Sequence, residues 1–78
     1  MDVRRRVGNN VRRIRTDRGL SQEALAFEAG IHRTYISGVE RGVRNPTVVV
    51  LEEIATALKV PAAALLEELP TKRKQRAD

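Results

Sequence analysis

Cysteine and tryptophan are absent from the 78 residues, and phenylalanine, tyrosine and histidine occur once each. Without cysteine there is no disulfide framework and no thiolate metal site, a composition suited to a reducing cytosol, so a cytoplasmic location is expected. A single histidine, His32, and the lack of a glycine-rich phosphate cradle leave no constellation for catalysis. No enzymatic activity, cofactor or metal is expected. Glu52-Glu53 and Glu67-Glu68 are neighbours along helices, so each pair splays apart instead of converging on one site. The longest apolar run, Val60 to Leu66, falls far short of a membrane span. No apolar run follows the opening Met-Asp-Val-Arg-Arg-Arg, so no secretory signal is expected either. The length suits one small domain, packed with aliphatics and alanine.

What is present is helical periodicity. Val3, Val7, Val11 and Ile14 recur at spacings of four, four and three, an amphipathic stripe that ends near Gly19. Arg4, Arg5 and Arg6 in its first turn oppose the helix dipole, which predicts fraying there. Ser21 is placed to cap a second helix with Glu23 in its first turn and Ala24, Leu25 and Ala29 along it. A third helix, from about Arg33 to Arg41, carries Ile31, Ile36 and Val39 on its apolar side and stops at Gly42. Gly30 between these two short helices suits a left-handed turn. Asn45-Pro46 makes a turn and Thr47 caps a fourth helix striped by Val48, Leu51, Ile54, Ala55 and Leu58. Pro61 opens a fifth, with Leu65, Leu66 and Leu69 as its apolar positions. Residues 1–70 form the domain, and residues 71–78 a disordered basic tail.

The second and third helices form a helix-turn-helix, a unit whose second helix enters the DNA major groove. The charge is distributed accordingly. Residues 1–45 hold ten arginines against five carboxylates, whereas residues 46–70 hold Lys59 against four glutamates. The cationic half is the half with the motif, which points to a phosphate-facing surface. Arg33, in the first turn of the recognition helix, can fork onto a guanine edge, and Thr34 can meet a base through its hydroxyl or methyl. Ser37 is compact enough to face the groove. Tyr35 contacts backbone phosphate or sugar through its hydroxyl, unless its ring is partly buried instead. Gly38 is read as permitting close approach of the helix to DNA. Arg41 and Asn45 grip the backbone just beyond the helix.

Gln22, Leu25-Ala26, Gly30, Ile36, Glu40-Arg41-Gly42, Pro46, Leu51, Ile54-Ala55 and Leu58 resemble the Xre/Cro–CI helix-turn-helix regulators over residues 7 to 66. Within that family, the run Arg33-Thr34-Tyr35-Ile36-Ser37-Gly38-Val39-Glu40-Arg41, then Arg44-Asn45, resembles the controller proteins of restriction–modification systems. The resemblance implies an all-α, compact five-helix bundle of the lambda-repressor-like type. It implies that Gln22 clamps a phosphate, that Arg44 reaches a base edge, and that Arg15 and Glu40 form a structural ion pair. One departure is His32, which stands where a better helix cap such as Asp or Ser is usual.

A domain this small covers few base pairs, so a homodimer on an inverted-repeat operator of double-stranded DNA is expected. Val49, Val50, Ala62, Ala63, Leu66 and Leu69 exceed what one helix face buries and are assigned to the dimer interface. Such a protein regulates transcription by occluding or recruiting RNA polymerase. The alternatives are an antitoxin of a toxin–antitoxin pair, another small phage-type repressor of the same fold, or a DNA-coating protein indifferent to sequence.

Overall fold

Local capping chemistry sets where the helices begin. In the computed structural model, which describes residues 2–68, the α-helices are α1 (Val3–Asp17), α2 (Gln22–Ala29), α3 (Arg33–Glu40) and α4 (Val48–Leu58). Ser21 accepts from the Ala24 N–H at 2.9 Å and Thr47 from the Val50 N–H at 3.1 Å, so α2 and α4 start where their caps predict. The start of α1 carries a cap that the arginine run did not suggest. Asp2 caps it, accepting from the Arg4 N–H at 2.7 Å while its second oxygen pairs with the Arg4 guanidinium at 2.9 Å. The Arg4 side chain and backbone N–H hold the Asp2 carboxyl down at about 2, against an ordinary 3.8. Because the folded value is depressed, the cap is fully in force above the ordinary value and is lost as pH falls toward about 2.

The fifth helix is shorter than the apolar spacing predicts. A 3-10 turn, Ala62–Leu66, follows α4, so the described residues form four α-helices and one 3-10 turn. Pro61 precedes it in extended conformation and no side chain caps it. Five residues do not recover the nucleation penalty of an α-helix. Its end is held from outside: the fully buried Asn10 of α1 donates to the carbonyls of Leu65 at 2.9 Å and Glu67 at 2.8 Å. Leu69 and the basic tail lie outside the described residues.

The core joins Val7, Val11 and Ile14 of α1, Leu25 and Ala26 of α2, Ile36 and Val39 of α3, Ile54, Ala55 and Leu58 of α4, and Leu65. Three predicted stripes shift at their ends. Val3 and Val48 stay exposed, because the first turns of α1 and α4 overhang the core, and in α2 Ala26 is buried where Ala24 and Ala29 are only half-buried. α1 crosses α3 closely at Gly8, where any Cβ would run into the carbonyls of Val39 and Glu40. α3 is thus clasped between α1 and α2, with one side left for solvent.

Lys59 ends α4 in the left-handed region at φ 61°, and the Val60 N–H returns to the Ala55 carbonyl at 3.0 Å. Glycine takes this position in most such caps because a Cβ there is strained. Lys59→Gly is expected to stabilise the domain by about 1 kcal/mol, raising its melting temperature by roughly 4–8 °C. Circular dichroism melts of the two proteins check this.

Candidate nucleic-acid interface

The turn before α3 is built as the sequence requires. Gly30 adopts φ 72° and the Ile31 N–H reaches back to the Ala26 carbonyl at 2.9 Å, closing α2 and turning the chain into the next helix. His32 then precedes α3 without any side-chain cap bond. Burying Ile36, Val39 and Glu40 on the inner side of α3 leaves His32, Arg33 and Thr34 exposed at its N-terminal end.

A chain of polar contacts anchors that end. Glu40, with a side chain only 2% exposed, receives the Arg15 guanidinium in two bonds of 2.6 and 3.1 Å. Arg15 donates its remaining nitrogen to the Leu20 carbonyl at 2.8 Å. Gln22 donates to Glu40 at 3.0 Å, and its amide oxygen accepts from Arg33 at 3.4 Å. Arg15 and Glu40 therefore sit at the root of a network that ends on the recognition helix. Gln22, at the first position of α2, is its middle member.

Beside this network lies a polar groove of about 380 Å³. Gln22, Ser37 and Arg41 form one part of its lining, and Arg5, Asn9 and Arg12 of α1 the other, with Glu40 at the base. Arg41 also donates to the Ser37 hydroxyl at 3.4 Å. The three α1 residues were not singled out from the sequence. They share one face of α1, on the far side of the helix from the apolar stripe, and only the packing of α1 on α3 brings them to the groove.

Tyr35, Gly38 and Arg44 come together. The Tyr35 ring is half-buried against the core, and the Arg44 guanidinium lies 5.4 Å from its centroid, in cation–π range. Gly38 is buried, and the Arg44 side chain covers it. Asn45 is exposed just beyond.

On the side formed by α4 and the 3-10 turn, Val48 is 80% exposed and Val49 67%, and Ala63 and Leu66 are exposed as well. Val50 and Ala62 instead pack partly against the domain's own core. Among the described residues no acidic or histidine cluster is arranged for a metal, and no helix is long and apolar enough to cross a membrane.

The helix-turn-helix family model matches residues 11–65, which contain the whole network and the recognition helix. The chain belongs to that family. Among its helix-turn-helix relatives, an uncharacterised HTH-type transcriptional regulator, y4dJ of Sinorhizobium fredii, is 46% identical over 66 residues, covering 85% of this chain and 86% of that protein. Control protein C.BamHI of Bacillus amyloliquefaciens is 46% identical over 67 residues, covering 85% of this chain and 83% of that protein. The restriction–modification controller protein C.Esp1396I, solved as a tetramer on its natural 35-base-pair operator, superposes with a TM-score of 0.77 at 37% identity, covering 83% of this chain and 86% of that one.

Proposed function

We propose that this helix-turn-helix protein is a homodimeric, sequence-specific transcriptional regulator of the restriction–modification controller type, acting in the cytoplasm on an inverted-repeat operator. The observation that carries the reading is the anchored, outward-facing end of α3. Arg33 and Thr34 are exposed on a helix whose other face is locked into the core, and Arg33 is tied through Gln22 to the buried Glu40. A guanidinium aimed outward from the helix end suits two-pronged recognition of guanine. The similarity to control proteins, one of them on operator DNA, supports the same conclusion.

In this reading Arg33, Thr34, Ser37 and Arg44 read bases. Gln22, Tyr35, Arg41 and Asn45 hold the backbone, and the arginines of the α1 groove, Arg5 and Arg12, add phosphate contacts. Two copies meet through Val48, Val49, Ala63 and Leu66, flanked by Val50 and Ala62. Occupancy of the operator then occludes or recruits RNA polymerase.

Selection from a random duplex library at near-physiological salt tests the proposal. It is expected to enrich an inverted repeat with half-sites about one helical turn, ~34 Å, apart. Tight, salt-sensitive binding without enrichment would leave only a coating protein, and weak binding throughout would redirect attention to a protein partner. On the selected operator, Arg33→Ala is expected to flatten the preference at one base per half-site, a loss of about 1–3 kcal/mol, whereas Arg41→Ala weakens cognate and scrambled duplexes alike and lowers the salt slope by about one. Equal losses on both duplexes for Arg33→Ala would remove it from the base readers.

A further inference from the structure

Glycine inside a helix of only eight residues calls for a reason, since alanine there would favour the helix. At Gly38 the reason is visible. A Cβ built on Gly38 would lie 2.6 Å from Cγ of Arg44, 3.3 Å from its Nε and 3.5 Å from its Cδ. The Arg44 side chain therefore runs lengthwise across the bare backbone of α3. The same glycine holds the Arg44 backbone as well. Its carbonyl accepts from the N–H groups of Val43 at 3.0 Å and Arg44 at 3.3 Å, fastening the loop that leaves α3. At the far end of the side chain, the guanidinium rests over the Tyr35 ring, one helical turn earlier.

We infer that Gly38 is a positioning residue for specificity: its missing side chain makes the seat that fixes the Arg44 guanidinium on the base-reading face. The inference rests on the proposed operator reading, with Arg44 as a base reader. Gly38 holds the backbone and seats the stem of Arg44 while the Tyr35 ring holds its head, which lowers the ordering entropy left to lose on binding DNA. An alanine at position 38 displaces only a flexible stem, with no backbone in the way. The fold is therefore retained while the guanidinium is misplaced. This separates Gly38 from a purely structural glycine, whose loss lowers stability and affects every base position equally.

A double-mutant cycle on the full chain decides the matter. Affinities are measured for the selected operator and all its single-base variants with the parent, Gly38→Ala, Arg44→Ala and the double variant, and each protein is also melted. Arg44→Ala is expected to flatten one position by about tenfold. Gly38→Ala should flatten the same position, leave the Arg33 position untouched and still melt cooperatively. In the Arg44→Ala background, Gly38→Ala should change affinity less than about twofold and raise the melting temperature, because the obstructing stem is gone and alanine favours the helix.

The same fold-loss in both backgrounds, or an even loss over all positions, would overturn the inference in favour of direct approach of the helix to DNA. Failure of Gly38→Ala to fold in both backgrounds would overturn it too, whereas rescue of folding by Arg44→Ala would support it. If Arg44→Ala flattens no position, the inference falls while the operator reading stands on Arg33. If the parent protein selects no operator, it is the operator reading that fails.

Discussion

Glu40→Ala is expected to destabilise the domain by about 3–5 kcal/mol, shifting the urea midpoint far below that of the parent protein. The carboxylate is almost completely buried and receives two bonds from Arg15 and one from Gln22. Removing it strands the Arg15 guanidinium, itself only 11% exposed, with the Leu20 carbonyl as its one remaining partner in the network. An uncompensated buried charge, more than the lost attraction, sets the size of the effect. At roughly 0.05–0.15 kcal/mol per residue, a chain this short holds about 4–12 kcal/mol in all, so the variant sits near the edge of folding. Replacing both partners together, as Arg15→Met with Glu40→Leu, is expected to recover most of the loss, since neither charge is then stranded. A loss under about 1 kcal/mol for Glu40→Ala would place the pair among solvent-screened surface bridges.

The second large effect is expected at Gly8. Alanine in mid-helix normally gains about 1 kcal/mol over glycine. Here its Cβ would stand 2.7 Å from the Glu40 carbonyl oxygen and closer still to that of Val39. Both obstacles are backbone, so α1 and α3 have to separate. A net destabilisation of about 1–3 kcal/mol is expected despite the propensity gain, read as a drop in the denaturation midpoint. Widening that crossing also moves the recognition helix against its anchor, so operator affinity is expected to fall in protein that remains folded. A neutral or stabilising Gly8→Ala would show that the crossing tolerates a methyl group. The contrast with Gly38 is instructive: there the obstacle is a side-chain stem that can swing aside.

Sequence reasoning succeeded where cause and effect lie within a few residues. Ser21 and Thr47 cap the helices that begin beside them, and Gly30 turns the chain at its own position. The helix-turn-helix itself follows from such local signals. Asp2 was missed for a local reason of another kind: three arginines were weighed against the helix dipole without asking what preceded them. The remaining misses are long-range. Asn10 fastens carbonyls 55 and 57 residues away, and nothing around position 10 announces it. The apolar spacing of Leu65, Leu66 and Leu69 measures hydrophobicity, and it does not show that Asn10 holds the segment as a short 3-10 turn. The side chain that covers Gly38 likewise belongs to a residue six positions on, after a reversal of the chain. In the candidate site, the outward placement of Arg33 and Thr34 followed from side-chain types, while the network beneath them and the α1 wall of the groove required the packing of α1 on α3.

Scarcity of aromatic residues has a practical consequence. With tryptophan absent, Tyr35 is the protein's only strong native fluorophore, and it lies in the recognition helix beneath the Arg44 guanidinium. Excited in the tyrosine band, the chain therefore emits from one point of the candidate interface. Movement of Arg44, or stacking of a nucleotide nearby, registers in that signal without any label.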